Sequence, residues 1–193
     1  ANKIGYPVVL KVDSPDIPHK TEADAIRLNL KNDQEVKKAF NEIKRNALNY
    51  KPDAKINGIS IQEMLPDGVE VIVGASNDPV FGPVIMFGLG GIFVEIYKDI
   101  SFRIAPLTRK DALEMIEDIK GKAILKGTRG KSSYDIEAII DVLLKVSALV
   151  TDYKDSIEEL DINPLIVYEN GIKAADAMIV VGNKVDDKAT IRG

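Results

Sequence analysis

The chain has 193 residues, 45% of them hydrophobic and 29% charged, which is enough for one globular domain or two packed lobes. Its formal net charge of −4 excludes a typical nucleic-acid-binding domain, because such a domain carries a basic surface. With no cysteine and one histidine, the chain excludes disulfides, thiolate zinc sites and cysteine nucleophiles, and a metal site would need oxygen ligands, which favours magnesium.

The longest apolar stretch, residues 82–96, is interrupted by four glycines and by Glu95. A membrane-spanning helix needs about 20 consecutive apolar residues, so none is predicted. The first five residues lead directly into a strand and show no signal-peptide pattern. We therefore expect a cytoplasmic protein that does not bind a membrane.

The first third of the chain shows strand and helix patterns. Residues 7–12 and 26–30 are predicted strands, joined by a loop that its two prolines keep extended. A helix is predicted between Asn32, a favourable cap, and Pro52, and a third strand follows at residues 59–64. The apolar face of that helix is predicted to consist of Val36, Phe40, Ile43 and Ala47.

The next part begins with short strands, predicted at residues 69–75, 83–87 and 92–97 and separated by glycine and proline. A short helix is predicted to begin at Thr108, which forms a capping pair with Asp111. A longer helix follows, and its apolar stripe consists of Ile136, Ile139, Ile140, Leu143, Val146 and Val150.

A hairpin is predicted near the C-terminal end. Residues 161–168 and 172–180 flank Asn170-Gly171, a favoured two-residue turn. With that turn, Asn163 lies opposite Met178, and the register of the whole hairpin follows from it.

Three polar residues share one face of this hairpin: Asp161, Asn163 and Asp176. Asn163 and Asp176 are diagonal neighbours in the predicted register, about 7–8 Å apart at their backbones, a gap that two oxygen ligands can close around a cation. Two alternatives stay open, because these residues could be solvated polar side chains and Pro164 could introduce a bulge that shifts the register. The opposite face is predicted to be apolar and consists of Ile162, Pro164, Ile166, Ala175, Ala177 and Ile179.

Other residues have both a functional and a structural interpretation. Lys11, inside a strand, is compatible with a phosphate contact but equally with a salt bridge or a side chain that reaches solvent. The glycines of residues 88–91 lie between strands and are interpreted as a hairpin loop, and Arg129 fits a phosphate contact or an exposed surface. A lone histidine is usually structural, but His19 lies in a loop beside Lys20.

Four stretches carry a family resemblance, in the family's order: IGYPVVLKVDSPDIPHKTEA, IQEMLPDGVEVIVGASNDPVFGPVIMFGLGGIFVEIYKDISFRIAPL, ILKGTRG and ELDINPLIVYENGIKAADAMI. They resemble the β subunit of ADP-forming acetyl-CoA synthetases, a branch of the ATP-grasp superfamily related to the succinyl-CoA synthetase β subunit. The resemblance implies an α+β ATP-grasp fold with two lobes of mostly antiparallel sheet and flanking helices. Residues 1–65 would form the smaller lobe, residues 66–185 the larger lobe and residues 186–193 a polar tail.

The same resemblance implies how a nucleotide is bound. Lys11 would contact a nucleotide phosphate, with Lys20 as a second candidate, and Glu70 would accept the ribose hydroxyls. Adenine would be bound by the backbone of the interlobe segment, Gln62, Glu63, Met64 and Leu65.

It also implies the residues that serve phosphate transfer. Asn163 and Asp176 would hold Mg²⁺, and Asp161 beside them is a candidate catalytic residue, in agreement with the hairpin geometry. His19 matches a family histidine that carries phosphate transiently, so it is the second candidate catalytic residue.

The implied activity is that of an acid–thiol ligase that catalyses acyl-CoA + ADP + phosphate ⇌ acid + CoA + ATP. Its partners would be Mg²⁺ with ADP or ATP and a separate CoA-binding α subunit, in a heterotetramer. Two alternatives stay open: a succinyl-CoA synthetase-type β subunit and a non-catalytic nucleotide-sensing ATP-grasp module. The HKTEA and DPVFGP stretches favour the acetyl-type branch over the first, and the presence of His19, Asn163 and Asp176 argues against the second.

Two features depart from the family pattern. The family has a glycine pair after the His-Lys-Thr segment, whereas this chain has Asp24-Ala25, so side chains occupy positions where the family backbone is bare. The family also has an additional N-terminal segment, which predicts that this sequence is a fragment of a longer chain.

Overall fold

The computed structural model describes residues 1–91, 94, 96–127 and 133–182. The chain divides into two compact units, Ala1–Pro66 and Asp67–Gly193. In both units, neighbouring strands within the described ranges pair antiparallel and helices pack against them, which confirms the predicted α+β class. None of the helices in these ranges has both the length and the apolarity needed to cross a membrane.

The first unit is a three-stranded sheet with one helix against it. Strand β1 (Val8–Asp13) lies between β2 (Ile26–Leu30) and β3 (Gly58–Glu63). Helix α1 (Asp33–Tyr50) begins at the predicted cap Asn32, whose side chain accepts a backbone hydrogen bond from the first turn at 3.0 Å. The core of this unit consists of Val8, Leu10, Val12, Ile17, Ala23, Ala25, Leu30, Ala39, Ile43 and Ala47.

The predicted apolar face of α1 is wrong at one position, Phe40. Phe40 is 45% exposed, whereas Ala39, one position earlier, is 3% exposed. Ala39, Ile43 and Ala47 recur every four residues and form the buried stripe, which leaves Phe40 at its flank. The helix therefore packs on the sheet through small alanine side chains and one isoleucine.

The second unit contains a six-stranded sheet in the order β6-β5-β4-β7-β8, with β9 also paired to β7. Its strands are β4 (Val69–Asp78), β5 (Gly82–Leu89), β6 (Ile100–Ile104), β7 (Ile157–Val167), β8 (Ile172–Ala174) and β9 (Ala177–Val181). Strand β7 is therefore interior, because it pairs with β4 on one side and with β8 and β9 on the other.

Three helices accompany this sheet: α2 (Arg109–Asp118), α3 (Lys122–Leu125) and α4 (Ile136–Asp152). Thr108 and Asp111 form the predicted capping box at the start of α2. The predicted stripe of α4 packs against the sheet, and its buried members are Ile139, Ile140, Leu143, Val146 and Val150.

The three helices contribute buried side chains to one core on one face of the sheet. The residues of β4 and β5 in that core alternate along each strand and are Val71, Val73, Ala75, Ile85, Phe87 and Leu89. The residues between them, such as Glu70 and Gly74, lie on the opposite face, which we call the outer face.

The strand predicted at residues 92–97 is wrong where the structure describes it. Val94 is helical and Ile96 and Tyr97 form a turn, while residues 92, 93 and 95 lie outside the described residues. The strand of this region is β6, which begins three residues after Tyr97.

The buried carboxylate of Asp99 explains where β6 begins. Its Oδ1 accepts the Lys120 N–H and its Oδ2 accepts the Gly121 N–H, both at 2.7 Å. Lys98, directly before it, has a left-handed backbone with φ of 48°. The chain therefore turns at Lys98 and is fixed by Asp99 to the connection between α2 and α3.

Asp99→Ala is expected to lower the free energy of unfolding by about 1–3 kcal/mol, because two partly buried N–H groups lose their acceptor. Asp99→Asn keeps one acceptor oxygen and should lose less. Denaturant unfolding of the wild type and both variants measures the difference. Equal stability of Asp99→Ala and the wild type would contradict the anchoring role.

Candidate functional site

The alternation of buried and outward-facing side chains is interrupted in the middle of strand β7. Val71 of β4 pairs with Leu165 and Val73 pairs with Ile162, so β7 has one residue more than β4 between these pairs. This confirms the bulge stated as an alternative for Pro164. As a result, Leu165 and Ile162 pack against the same core although they are an odd number of residues apart. The bulge does not shift the hairpin register, because Ile162 pairs with Ala177 before it and Leu165 pairs with Ala174 after it in one continuous register.

The bulge corrects one part of the predicted hairpin, which has Ile162 and Ile166 on a single apolar face. Because Ile162 and Leu165 both pack against the helical core, Ile166 lies on the opposite side of the sheet. Before the bulge, the predicted alternation holds. Asp161 therefore points away from the helices, toward the outer face. Asn163 is one of the two bulge residues between Ile162 and Leu165, and because both of these face the helical core, Asn163 also lies on the outer face.

The hairpin register differs from the prediction by two residues. Asn163 lies opposite Asp176 and not Met178, and its N–H donates a hydrogen bond to the Asp176 carbonyl at 3.2 Å. The turn spans Tyr168 to Gly171, where the Tyr168 N–H donates to the Gly171 carbonyl at 3.0 Å. Because the shift is an even number of residues, Asn163 and Asp176 keep their common face.

The predicted site residues of the second unit lie on the outer face of its sheet: Glu70, Asp161, Asn163 and Asp176. Asp161 pairs with Gly74 of β4 on one side and with Met178 of β9 on the other. Glu70 is exposed near the start of β4. The sheet thus brings Asp161, Asn163 and Asp176 to adjoining positions.

These three residues form a donor set that fits magnesium. Directly opposed residues have Cβ atoms about 4.5–5.5 Å apart, so Asn163 and Asp176 are closer than the predicted diagonal pair. Carboxylate and amide oxygens are the hard ligands that Mg²⁺ prefers. No three His, Cys, Asp or Glu side chains cluster as a metal site anywhere in the described ranges. The predicted set contains only two carboxylates, because its third member is the amide of Asn163.

Asp135 joins the tip of the hairpin to the start of α4. Its Oδ2 accepts the Gly171 N–H at 2.7 Å, and its Oδ1 accepts the Ala138 N–H at 2.9 Å as the cap of α4. Its own N–H donates to the Tyr168 carbonyl at 2.8 Å. The Gly171 N–H above all, with that of Ala138, holds the pKa of Asp135 below its ordinary value. This residue is absent from the predicted site, although an Asp directly before an apolar helical stripe is a cap signal.

The glycine segment at residues 88–91 packs beside Glu70. The Gly90 N–H donates to the Glu70 carbonyl at 2.8 Å, and a Cβ on Gly90 would lie 2.8 Å from the Glu70 Cβ. Only glycine fits so close to β4. Gly90 thus ties the end of β5 to the residue expected to accept ribose hydroxyls. Arg129 of the second glycine segment lies outside the described residues.

His19 and Lys20 lie in a loop between β1 and β2 that is fixed on both sides. His19 is exposed and Lys20 is half-buried. Before them, Asp16 accepts the Lys55 N–H at 2.7 Å, and this bond is the main reason why the pKa of Asp16 is lowered. After them, the Ala25 N–H donates to the Lys20 carbonyl at 2.8 Å. The two anchors hold the short segment that presents the imidazole.

Asp24 stands where the family has its first glycine, and it adopts the backbone that glycine favours. Its φ is 47°, in the left-handed region. Its carboxylate accepts hydrogen bonds from Arg27 Nη1 at 2.7 Å and from Asn46 Nδ2 at 2.8 Å, and the Arg27 bond is the main cause of its lowered pKa. Asp24 therefore supplies the turn that glycine would supply, and its side chain is held by Arg27 and Asn46.

The remaining predicted residues of the first unit lie in its sheet. Lys11 is buried in the central strand β1, between Ile26 of β2 and Ser60 of β3. A buried ammonium needs a polar or anionic partner, and a phosphate is one group that could serve as that partner. Its contact with phosphate stays a prediction.

The predicted adenine-binding segment begins in β3, one of the two edge strands of this sheet. The Met64 N–H donates to the Pro7 carbonyl at 3.2 Å. Backbone N–H and C=O groups alternate in direction along a strand. Those of Gln62 and Met64 therefore point toward β1, and those of Glu63 point toward the open edge of the sheet. A backbone contact with adenine is therefore expected of Glu63 and of Leu65 rather than of all four residues.

Comparison with known proteins identifies what this arrangement is similar to. Residues 1–181 match the family described as ATP-grasp domain. The acetate–CoA ligase (ADP-forming) II subunit beta of Pyrococcus furiosus is 55% identical over 183 residues, which cover 94% of this chain and 78% of that protein. The resemblance stated from the sequence is confirmed.

Two solved structures of one archaeal enzyme are also similar, the dinucleotide forming acetyl-coenzyme A synthetase 1 of Ca. Korarchaeum cryptofilum. The complex with coenzyme A, Ca-AMPCP and HgCl⁺ has a TM-score of 0.88 and 46% identity and covers 94% of this chain and 79% of that chain. The complex with coenzyme A and Mg-AMPPCP, whose phosphohistidine segment points towards the nucleotide binding site, has a TM-score of 0.78 and 43% identity with the same coverage.

Proposed function

Because the chain belongs to the ATP-grasp family, we propose that it is the nucleotide-binding β subunit of an ADP-forming acyl-CoA synthetase. It transfers phosphate between a phosphohistidine and Mg-ADP or Mg-ATP in the reaction acyl-CoA + ADP + phosphate ⇌ acid + CoA + ATP. The observation that carries this function is the outer face, where Asn163 opposes Asp176 next to Asp161, and where Glu70 lies further along β4. The similarity to an acetate–CoA ligase β subunit supports the acid–thiol ligase activity.

The two compact units carry different proposed contacts with the nucleotide. The first unit is the smaller lobe, in which Lys11 and Lys20 neutralise phosphate oxygens and the end of β3 binds adenine. The second unit is the larger lobe, in which Glu70 accepts the ribose hydroxyls. Neutralisation and positioning of phosphate are what phosphoryl transfer requires from a protein.

Magnesium is held by Asn163 and Asp176, with Asp161 beside them. When bound, the ion supplies positive charge that stabilises the phosphate oxygens during transfer. Asp161 orients the groups around this site, and His19 accepts and releases the phosphoryl group.

The partner is a separate CoA-binding α subunit, and the assembly is a heterotetramer. Support for a partner comes from the P. furiosus relative, which is named as one subunit of its enzyme. The α subunit binds CoA and selects the acyl group, and it carries the phosphohistidine that exchanges phosphate with this chain.

The purified chain alone is expected to form no ATP from acetyl-CoA, ADP and phosphate, because CoA binding belongs to the partner. Addition of the CoA-binding subunit that co-purifies with it should start ATP formation, measured by a coupled luciferase assay. ATP formation by the isolated chain would overturn the split-subunit assignment.

The same assay separates the two alternatives. A succinyl-CoA synthetase-type subunit would use succinyl-CoA in preference to acetyl-CoA. A non-catalytic nucleotide-sensing module would bind Mg-ADP in calorimetry but form no ATP with any partner or acyl-CoA.

A further inference from the structure

We propose that Asp135 determines the register in which β9 pairs with β7, and thereby keeps Asp176 opposite Asn163. Asp135 lies outside the predicted metal site, and its carboxylate accepts the N–H groups of Ala138 and Gly171. It acts through the turn of the hairpin that carries them, as a positioning residue.

The contacts at the tip show how one residue can set the turn. In an ordinary β-turn the carbonyl of the first residue accepts the N–H of the fourth. Here these residues are Tyr168 and Gly171, and Asp135 bonds both groups, with its N–H at 2.8 Å from the Tyr168 carbonyl and its Oδ2 at 2.7 Å from the Gly171 N. Asp135 is itself fixed as the cap of α4 by the Ala138 N–H at 2.9 Å.

Hydrophobic patterning cannot select this register. A shift by one residue would move every side chain of β9 to the other face, but a shift by two keeps each on its face. The competing register has its turn at Asn170-Gly171, the dipeptide that two-residue hairpins favour most. The native turn, one position earlier, therefore needs a specific contact, and the Gly171 N–H on Asp135 is that contact.

The consequence for the outer face is large. A shift of two residues moves β9 along β7 by about 7 Å. Asn163 would then oppose Met178, and Asp176 would oppose Leu165 across the bulge. The effect on magnesium rests on the proposed function, whereas the effect on register does not.

Disulfide trapping can measure the register directly, because the chain contains no cysteine. The pair Ile162→Cys with Ala177→Cys is directly opposed in the native register. The pair Ile162→Cys with Ile179→Cys is diagonal there, too far apart for a bridge, but directly opposed in the shifted register. Mild oxidation followed by mass spectrometry gives the yield of each bridge.

Asp135→Ser is the principal variant. Serine retains the helix cap but is too short to reach the Gly171 N–H as well, so the two roles of Asp135 are separated. Asp135→Asn is the second variant if the first does not fold, because it has a single acceptor oxygen for two donors. Thr108→Ala is the matched control, since it removes the side-chain cap of a different helix, α2.

In the otherwise native chain, the 162–177 bridge should form in high yield and the 162–179 bridge in low yield. Asp135→Ser should raise the 162–179 yield several-fold, and Thr108→Ala should not. Unchanged yields in both Asp135 variants would overturn the proposal.

Calorimetry supplies the functional readout. Without the cysteine pairs, Asp135→Ser should weaken Mg-ADP binding about tenfold and leave binding of metal-free ADP unchanged. An equal loss of both affinities would show a structural role only and would overturn the link to the metal site. If the wild type fails to bind Mg-ADP, the proposed function fails, and the bridge yields still decide the register.

Discussion

His19→Ala is expected to reduce ATP formation by the complex of this chain with its CoA-binding subunit by at least about 1,000-fold, as expected when a covalent nucleophile is removed. A neutral imidazole nitrogen is nucleophilic near pH 7 and can accept a phosphoryl group. The phosphoryl group would pass from the partner's phosphohistidine to His19, and then to the terminal oxygen of ADP.

The structure of the loop supports this expectation. His19 is exposed between two anchors, the Asp16 bond to the Lys55 N–H and the Ala25 bond to the Lys20 carbonyl. A fixed backbone with an exposed imidazole is suited to meet a partner's side chain. Lys20 lies next to His19, and its ammonium can neutralise the oxygens of an incoming phosphoryl group.

Labelling distinguishes a covalent relay from simple hydrogen bonding. Incubation with γ-labelled ATP and magnesium, followed by a quench in base, where phosphohistidine survives, should leave label on the wild type and none on His19→Ala. Glu22→Gln, an exposed change in the same loop, should keep both the label and the activity. If no base-stable label forms on the wild type with the partner present, or if His19→Asn retains substantial turnover, His19 only binds phosphate.

The hairpin shows what could be predicted from the sequence and what could not. The alternation of side chains along a strand placed Asp161, Asn163 and Asp176 on one face. This could be predicted because alternation is a local property of a strand. The register was wrong by two residues, since it depends on Asp135, which is far away in the sequence. The bulge at Pro164 could be stated only as an alternative, because it shows in the pairing of β7 with β4.

The same limit applies elsewhere. Helices α1, α2 and α4 were found because their caps and apolar stripes are local, and Asn32, Thr108 and the stripe of α4 are where they were predicted. The four-residue helix α3 has no side-chain cap and was not predicted. Strand β6 was missed because its start depends on the bonds from Asp99 to Lys120 and Gly121, about 20 residues away. The family resemblance supplied the roles predicted for Lys11, Glu70 and the adenine segment, which periodicity alone does not indicate.

Asp176→Asn is expected to weaken Mg-ADP binding by on the order of 10–100-fold, while the fold is retained. Asn163 and Asp176 are directly opposed on the outer face, where an amide oxygen and a carboxylate can share one cation. The substitution removes the negative charge but preserves the size and shape of the side chain. Loss of the carboxylate charge weakens the binding of a hard cation more than it weakens the binding of the nucleotide itself. The affinity for ADP without magnesium should therefore change little.

Isothermal titration with Mg-ADP and with ADP in EDTA measures both affinities, and thermal unfolding checks the fold. Glu169→Gln is the matched control, because it makes the same charge change at the tip of the same hairpin, away from the opposed pair. It should leave the Mg-ADP affinity unchanged. The Asp176 carbonyl that accepts the Asn163 N–H belongs to the backbone and is retained in Asp176→Asn, and an unchanged melting temperature shows that the fold is retained. Equal Mg-ADP affinities of Asp176→Asn and the wild type, with equal melting temperatures, would show that magnesium is held by other residues.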